Sequence, residues 1–282
     1  MITVWQAVVL AIIQGIAEFL PISSTAHLIL IPWLLHWPDP GLTFDVALHA
    51  GTLAAVIGFF FTTWVRIIRA GFGEAIDVHT GQPISGAALA TQRRLLWFLV
   101  LATIPGGIIG LLFDKQIETT WRNPLIIAAS LIVVGLIMGW ADRAPAQTKD
   151  YDGVSIWDSL WIGLAQAVAV IPGVSRSGAT ITAGLFTGMT REASARFSFL
   201  LATPIIAGAV ADKAHQIYKT GLPHGMAAPF LVGIVVSAVV GIASIALFIR
   251  FLKLSTLRFF VWYRVILGLV VIALFFAGLR SY

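Results

Sequence analysis

Six apolar runs, each about as long as a bilayer is thick, leave this chain few ways to fold. Crossing the hydrocarbon core as a helix takes roughly 20 predominantly apolar residues. Runs of that kind occupy about 44–65, 94–113, 124–140, 196–211, 228–250 and 257–279. Of the 282 residues 59% are hydrophobic and 11% are charged, where a soluble domain carries about a quarter charged. Lipid is therefore the solvent, and the expected fold is an all-α integral membrane protein. The chain has no cysteine, which excludes disulfides and thiolate metal sites. Its first basic residue is Arg66, so a cleaved signal with a basic n-region is not expected. The net charge of +5 sits in loops between apolar runs, where it sets topology and gives no reason to expect nucleic acid as a partner.

Two other apolar stretches are each split into pieces too short to span. Residues 1–35 are interrupted by Glu18, Pro21 and Ser23-Ser24-Thr25, and residues 158–171 and 178–189 flank a second interruption containing Pro172 and Arg176. Each reads as a helix entering, a turn at depth and a helix leaving. Trp33 and Trp37 suit the headgroup level before the first full span. Threading the six spans brings the Arg66 to Arg94 segment, the 141–157 linker and the Arg250 to Arg258 turn, part of a basic run of Arg250, Lys253, Arg258 and Arg264, to one side, which is then cytoplasmic. Both termini fall outside, and the two re-entrant broken-helix hairpins enter from opposite faces as an inverted repeat. The expected organisation is a single membrane domain over 1–282, with half one at about 1–140, a linker at 141–157 and half two at about 158–282. Gln14 to Pro21 and Gln166 to Pro172 have nearly equal spacing, and Phe98-Leu-Val-Leu-Ala-Thr-Ile-Pro105 echoes Phe197-Ser-Phe-Leu-Leu-Ala-Thr-Pro204. Broken helices meeting at the midplane must line a wet cavity or be buried in protein, and that is where a site is expected.

Charge at that depth needs a reason. An arginine near the bilayer centre costs roughly 2.5–3.5 kcal/mol on insertion scales, so Arg176 should face an anion. Its planar fork suits phosphate, and Gly173, Ser175, Ser177 and Gly178 let amides and hydroxyls approach the same group. The helix resuming there aims its positive end at it. Glu18 lies one helical turn after Gln14, on the same face. Its carboxylate suits a divalent cation bridging phosphate oxygens, or a nucleophile's proton; the plainer role is counter-ion to Arg176. Ser23, Ser24 and Thr25 suit helix capping. His27 stands within one turn of Ser24, a separation that lets the imidazole reach the hydroxyl. Asp45 and His49 share a helical face, with Asp45 read as solvated or capping, and Arg191 and Arg196 flank a cytoplasmic turn. Walker, His-Glu-x-x-His and Gly-x-Ser-x-Gly patterns are absent from the sequence. An anion transporter built from broken helices is the competing class.

The two interruptions, Gln14-Gly-Ile-Ala-Glu18-Phe-Leu-Pro-Ile-Ser-Ser-Thr-Ala-His27 and Pro172-Gly-Val-Ser-Arg-Ser-Gly-Ala-Thr180, closely resemble the motifs of the undecaprenyl-pyrophosphate phosphatase family of the bacitracin-resistance type. The resemblance implies a multi-pass enzyme of the bacterial inner membrane that converts undecaprenyl (C55) pyrophosphate to the monophosphate carrier of cell-wall synthesis. It also implies an active site open to the outer leaflet, dependence on a divalent cation such as Mg²⁺ or Ca²⁺, and a homodimer among membrane lipids. By position it makes Glu18, Ser24, His27 and Arg176 catalytic and Glu18 a metal ligand. Gln14, Ser23, Thr25, Ser175, Ser177 and Gly178 then surround the substrate headgroup. Gln14 stands where many members carry glutamate, which removes one carboxylate from the expected cation site. The nucleophile is left open between Ser24 activated by His27, His27 itself, and water.

Overall fold

A computed structural model describes residues 2–144, 147–222 and 224–278. Twelve α-helices account for nearly all regular structure, and two isolated β-bridges are the only extended pairings among the described residues. Six helices are long and apolar enough to cross a membrane: α3 (Gly41–Phe59), α5 (Gly86–Leu112), α7 (Pro124–Ala141), α10 (Arg191–Thr220), α11 (Ala227–Leu254) and α12 (Arg258–Phe276). The others are α1 (Val4–Ala17), α2 (Ser24–Leu35), α4 (Phe61–Gly71), α6 (Asp114–Glu118), α8 (Ile156–Val168) and α9 (Arg176–Phe186). The apolar runs are thus helices, but α5 begins at Gly86, ahead of the expected 94, and α10 runs from Arg191 to Thr220, beyond the expected 196–211, because polar turns prolong both helices outside the apolar stretch. Another boundary differs in kind. The run expected to continue to residue 65 leaves helical geometry at Phe60 (φ −100°, ψ 17°), whose buried ring turns inward toward Phe199. The amphipathic α4 then packs against α5, burying Ile67 and Ala70.

Local signals start and stop the short helices. Thr3 and Gln6 form a capping box on α1, and Ser155 and Asp158 form one on α8. Ser23 caps the start of α2 and Ser175 that of α9, and both caps hold left-handed backbone, with φ of 75° and 72°. Non-glycine residues in that region cost of order 1–3 kcal/mol, so the surrounding packing must impose the turn. Gln166 stands as far ahead of Ser175 as Gln14 does ahead of Ser23.

The short pairs cross over in their packing: α1 lies against α11 and α2, while α8 lies against α5 and α9. The approach of α8 to α5 depends on Gly163, where a Cβ would come within 2.7 Å of the Ala102 carbonyl oxygen. Small residues at such crossings are the usual device where lipid offers no hydrophobic drive between helices. A chain of rings, Phe19 on Phe199, Phe199 near Phe248, Phe248 on Phe260, ties α10, α11 and α12 to the first interruption.

The two ends of the bundle are chemically distinct. At one, Gln92 Nε2 donates to Asp77 (3.1 Å) and Asp152 (2.9 Å), Arg191 Nε donates to Asp142 (2.5 Å), the Leu257 amide donates to Asp142 (3.0 Å), and Lys253 lies 3.6 Å from Glu192. The three basic segments expected to share a side therefore do share an end, with Arg264 as an exception: it is fully buried within α12. At the other end Arg122 donates to Asp39 (3.0 Å) and Asp45 (3.1 Å). Asp45, expected to be solvated or capping, is buried; the Arg122 guanidinium folds over the bundle end and takes the place of water. Ile2 packs with Phe44, Met226 and Phe230, so α1 starts near this Arg122 end.

Candidate active site

The last turn of α1 sets the first half of the site. Gln14 and Glu18 project from one face, and Gln14 Nε2 donates to Glu18 Oε2 at 3.1 Å. Phe19, edge-on to Phe199 at 5.3 Å between ring centres, anchors the chain immediately after the carboxylate. The backbone then loops back through Pro21 to Ser23, whose hydroxyl accepts from the Ala26 amide. Ser24, first residue of α2, is thereby turned toward the end of α1, and its hydroxyl donates to Glu18 Oε2 at 2.7 Å.

The second interruption supplies the opposing charge. Ser175 accepts from the Gly178 amide at 3.0 Å, and Arg176 opens α9 just as Ser24 opens α2. Its Nη2 donates to Glu18 Oε1 at 2.8 Å, and its Nη1 donates to the Ser198 carbonyl at 2.9 Å. Ser177 Oγ donates across to the Leu20 carbonyl at 3.0 Å, joining the two loops directly. Residues distant in sequence by more than half the chain thus meet around one buried carboxylate. The Arg176 side chain remains 13% exposed and Glu18 5%, so the guanidinium is the more accessible of the pair.

A fourth partner of Glu18 comes from α3. His49 Nε2 lies 3.3 Å from Glu18 Oε2, while its Nδ1 donates to the Asp45 main-chain oxygen at 2.7 Å. His27, expected to reach Ser24, does something else. Its Nδ1 lies 2.8 Å from the Ser23 carbonyl and its Nε2 lies 2.6 Å from the Tyr263 hydroxyl. A carbonyl can only accept, so Nδ1 donates to it, and in the neutral ring Nε2 accepts a hydrogen bond from the Tyr263 hydroxyl. The Ser24 hydroxyl is bonded to Glu18 instead. Thr25, beside Ser24, is only half-buried.

Sequence reasoning noted His49 only on a face shared with Asp45 and Arg264 only in a basic run, and it passed over Tyr263. The signal for His49 and Arg264 was present, since each is an ionisable residue inside an apolar run, and the rule that flagged Glu18 and Arg176 applies to them equally.

Glu18 is the carboxylate at this place, and Gln14 Oε1 beside it is buried without a hydrogen-bond partner. An oxygen-rich pair with one free acceptor fits a hard divalent cation. The other grouping suited to a metal among the described residues, His79 with Asp150 and Asp152, lies at the basic end of the bundle.

Comparison with known proteins points to a single family. The family model described as bacitracin resistance protein BacA matches residues 7–270. The chain is 47% identical over 273 residues to undecaprenyl-diphosphatase of Moorella thermoacetica, covering 97% of this chain and 98% of that one. It is 47% identical over 279 residues to undecaprenyl-diphosphatase of Trichlorobacter lovleyi, covering 98% of each. To undecaprenyl-diphosphatase of Geobacter sulfurreducens it is 44% identical over 282 residues, covering 97% and 99%.

Proposed function

From the premise that this chain belongs to the bacitracin resistance protein BacA family, we propose that it is a membrane phosphatase hydrolysing undecaprenyl diphosphate to undecaprenyl phosphate and inorganic phosphate, with Glu18, Ser24 and Arg176 carrying the chemistry. The observation that supports those roles is the meeting of the three side chains across the two interruptions, with Ser24 Oγ 2.7 Å and Arg176 Nη2 2.8 Å from the same carboxylate. In that reading the family's activity confers bacitracin resistance by recycling the lipid carrier of cell-wall synthesis.

The reaction follows from the donors. The diphosphate headgroup draws the guanidinium fork of Arg176 away from Glu18, because a dianionic phosphate offers it more charge than one carboxylate. Glu18 Oε2, which accepts from Ser24 Oγ at 2.7 Å, is the base within reach of that hydroxyl. Ser24 Oγ then attacks the terminal phosphorus as its proton passes to Glu18 Oε2, and the bond from that phosphorus to the bridging oxygen breaks. Undecaprenyl phosphate leaves with that oxygen, and water later cleaves the phosphoserine, regenerating the hydroxyl. Amides at the start of α9 would supply donors to the developing charge, with Ser175 and Ser177 shaping the loop that presents them. His27, with both nitrogens engaged, serves as a brace between the first loop and Tyr263. Glu18 and Gln14 Oε1 would hold a divalent cation, Mg²⁺ or Ca²⁺, which supplies further positive charge to the diphosphate oxygens when bound.

The basic end, with Arg66, Arg93, Arg94, Arg143, Arg191 and Arg250, faces the cytoplasm by the positive-inside rule. The Arg122 end and the first helix pair then face outward, both broken pairs are re-entrant, and the two halves form an inverted repeat within one membrane domain. A homodimer completes the proposal. The test is phosphate release by the purified protein in detergent, where there are no compartments to transport between. Release from undecaprenyl diphosphate that depends on a divalent cation and on Glu18 is expected. An anion-binding protein with no phosphate release would overturn the reading.

A further inference from the structure

Helix α12 takes no part in the chemistry above, yet Arg264 within it is 0% exposed. Main-chain oxygens hold its guanidinium. Nη1 donates to Pro21 (3.0 Å), Nη2 to Gly173 and Val174 (both 2.9 Å) and more distantly to Ser130 (3.4 Å), and Nε to Leu131 (3.2 Å). Pro21 belongs to the first interruption, Gly173 and Val174 to the second, and Ser130 and Leu131 to α7. Where a helix stops inside lipid its last carbonyls lose their amide partners, and each one left bare is costly. A planar group with five N–H donors answers carbonyls from both interruptions at once.

That geometry fixes the site's two halves relative to each other. Pro21 stands three residues after Glu18, and Val174 two before Arg176, so one rigid group sets how far the carboxylate lies from the guanidinium that faces it. The same contact explains a motif glycine: a Cβ on Gly178 would come 2.9 Å from Arg264 Nη1. The adjacent Tyr263 reaches His27 on the other side of the first loop, so consecutive residues of α12 grip both flanks of that loop.

We infer that Arg264 is the positioning residue of this site, holding the two interruptions in register so that Ser24, Glu18 and Arg176 share one geometry. The inference rests on the proposed phosphatase reading, and it is tested on the full chain in detergent with Arg264→Ala, Arg264→Met and Arg264→Lys beside Arg176→Ala. Phosphate release from undecaprenyl diphosphate, thermal midpoint and rescue by millimolar guanidinium are measured for each. Misplacing reacting groups by an ångström costs about 100-fold in rate. A loss of that size in kcat is expected for Arg264→Ala and Arg264→Met, with KM little changed. Guanidinium should restore activity to Arg264→Ala, whose cavity admits it, and not to Arg264→Met. Should Arg264→Ala or Arg264→Met fold poorly, Arg264→Lys decides: its ammonium keeps the charge but cannot span both loops, so a folded, slow enzyme supports positioning. Activity near wild type in any of the three, or a loss that only tracks the unfolded fraction and resists guanidinium, overturns the inference. Full activity in Arg176→Ala would instead sink the phosphatase site itself, whatever Arg264 does.

Discussion

Replacing Arg176 separates charge from geometry at the centre of the proposed site. The guanidinium spans two acceptors in the resting protein, Glu18 Oε1 at 2.8 Å and the Ser198 carbonyl at 2.9 Å, and the same fork is available to two phosphate oxygens. Hydrogen bonds to charged groups contribute about 1.5–3 kcal/mol each, so losing both in Arg176→Ala raises the barrier by about 3–6 kcal/mol, or roughly 10²–10⁴ in rate. Arg176→Lys keeps the charge and loses the fork, which is one such bond, or roughly 10–100-fold. Stability moves too, since breaking a buried ion pair costs about 3–5 kcal/mol. Glu18 retains Ser24, Gln14 and His49 as partners, which places Arg176→Ala at the low end of that range. The assay is phosphate release in detergent at saturating undecaprenyl diphosphate, with the thermal midpoint read on the same samples. The ranking wild type, Lys, Ala is the expected result. An Arg176→Ala protein within ten-fold of wild type and equally stable would refute the phosphate clamp.

Other perturbations have equally definite outcomes. Ser24→Ala and Glu18→Gln should each abolish measurable turnover, and acid quench of the wild type should trap phosphate on Ser24; turnover persisting in Ser24→Ala would assign the attack to water. Gly178→Ala forces a methyl to within 2.9 Å of Arg264 Nη1 and 3.1 Å of Ser175 Oγ, so overpacking of about 1–3 kcal/mol should lower both thermal midpoint and kcat, and an unchanged protein would show that the loop has room. At the basic end, the hydrogen bond to Asp152 raises His79 above its ordinary 6.5, and the same bond lowers Asp152 below its ordinary 3.8. The His79 contribution is full below 6.5 and fades as pH climbs through the raised value; that of Asp152 is full above 3.8 and fades as pH drops through the lowered one. The thermal midpoint of wild type minus that of His79→Gln should therefore peak between those limits, and a flat difference from pH 3 to 9 would remove the pair from the stability of this end.

How legible the protein was depends on the range of each interaction. Apolar runs at 124–140 and 228–250 announced α7 and α11 because a chain in lipid must satisfy its amides locally, leaving length and hydropathy to decide the element. The short pieces around Pro21 and Pro172, and the charge of Glu18 and Arg176 inside them, marked the proposed site for the same reason. Partner choice was another matter. Spacing put His27 one turn from Ser24, yet its ring turns to Tyr263, 236 residues away, and Ser24 bonds to Glu18 across the reversal of the chain. His49 and Arg264 carried the same warning of buried charge, but their roles became visible only when α3 and α12 were packed against the interruptions. By itself the sequence determined which segments are helices, where two of them break, and which ionisable groups lie among apolar residues. Gln14 and Glu18, one turn apart, were paired by spacing, but tertiary structure alone decided which distant donor meets which acceptor, because in a dry interior that pairing depends on the approach of whole helices.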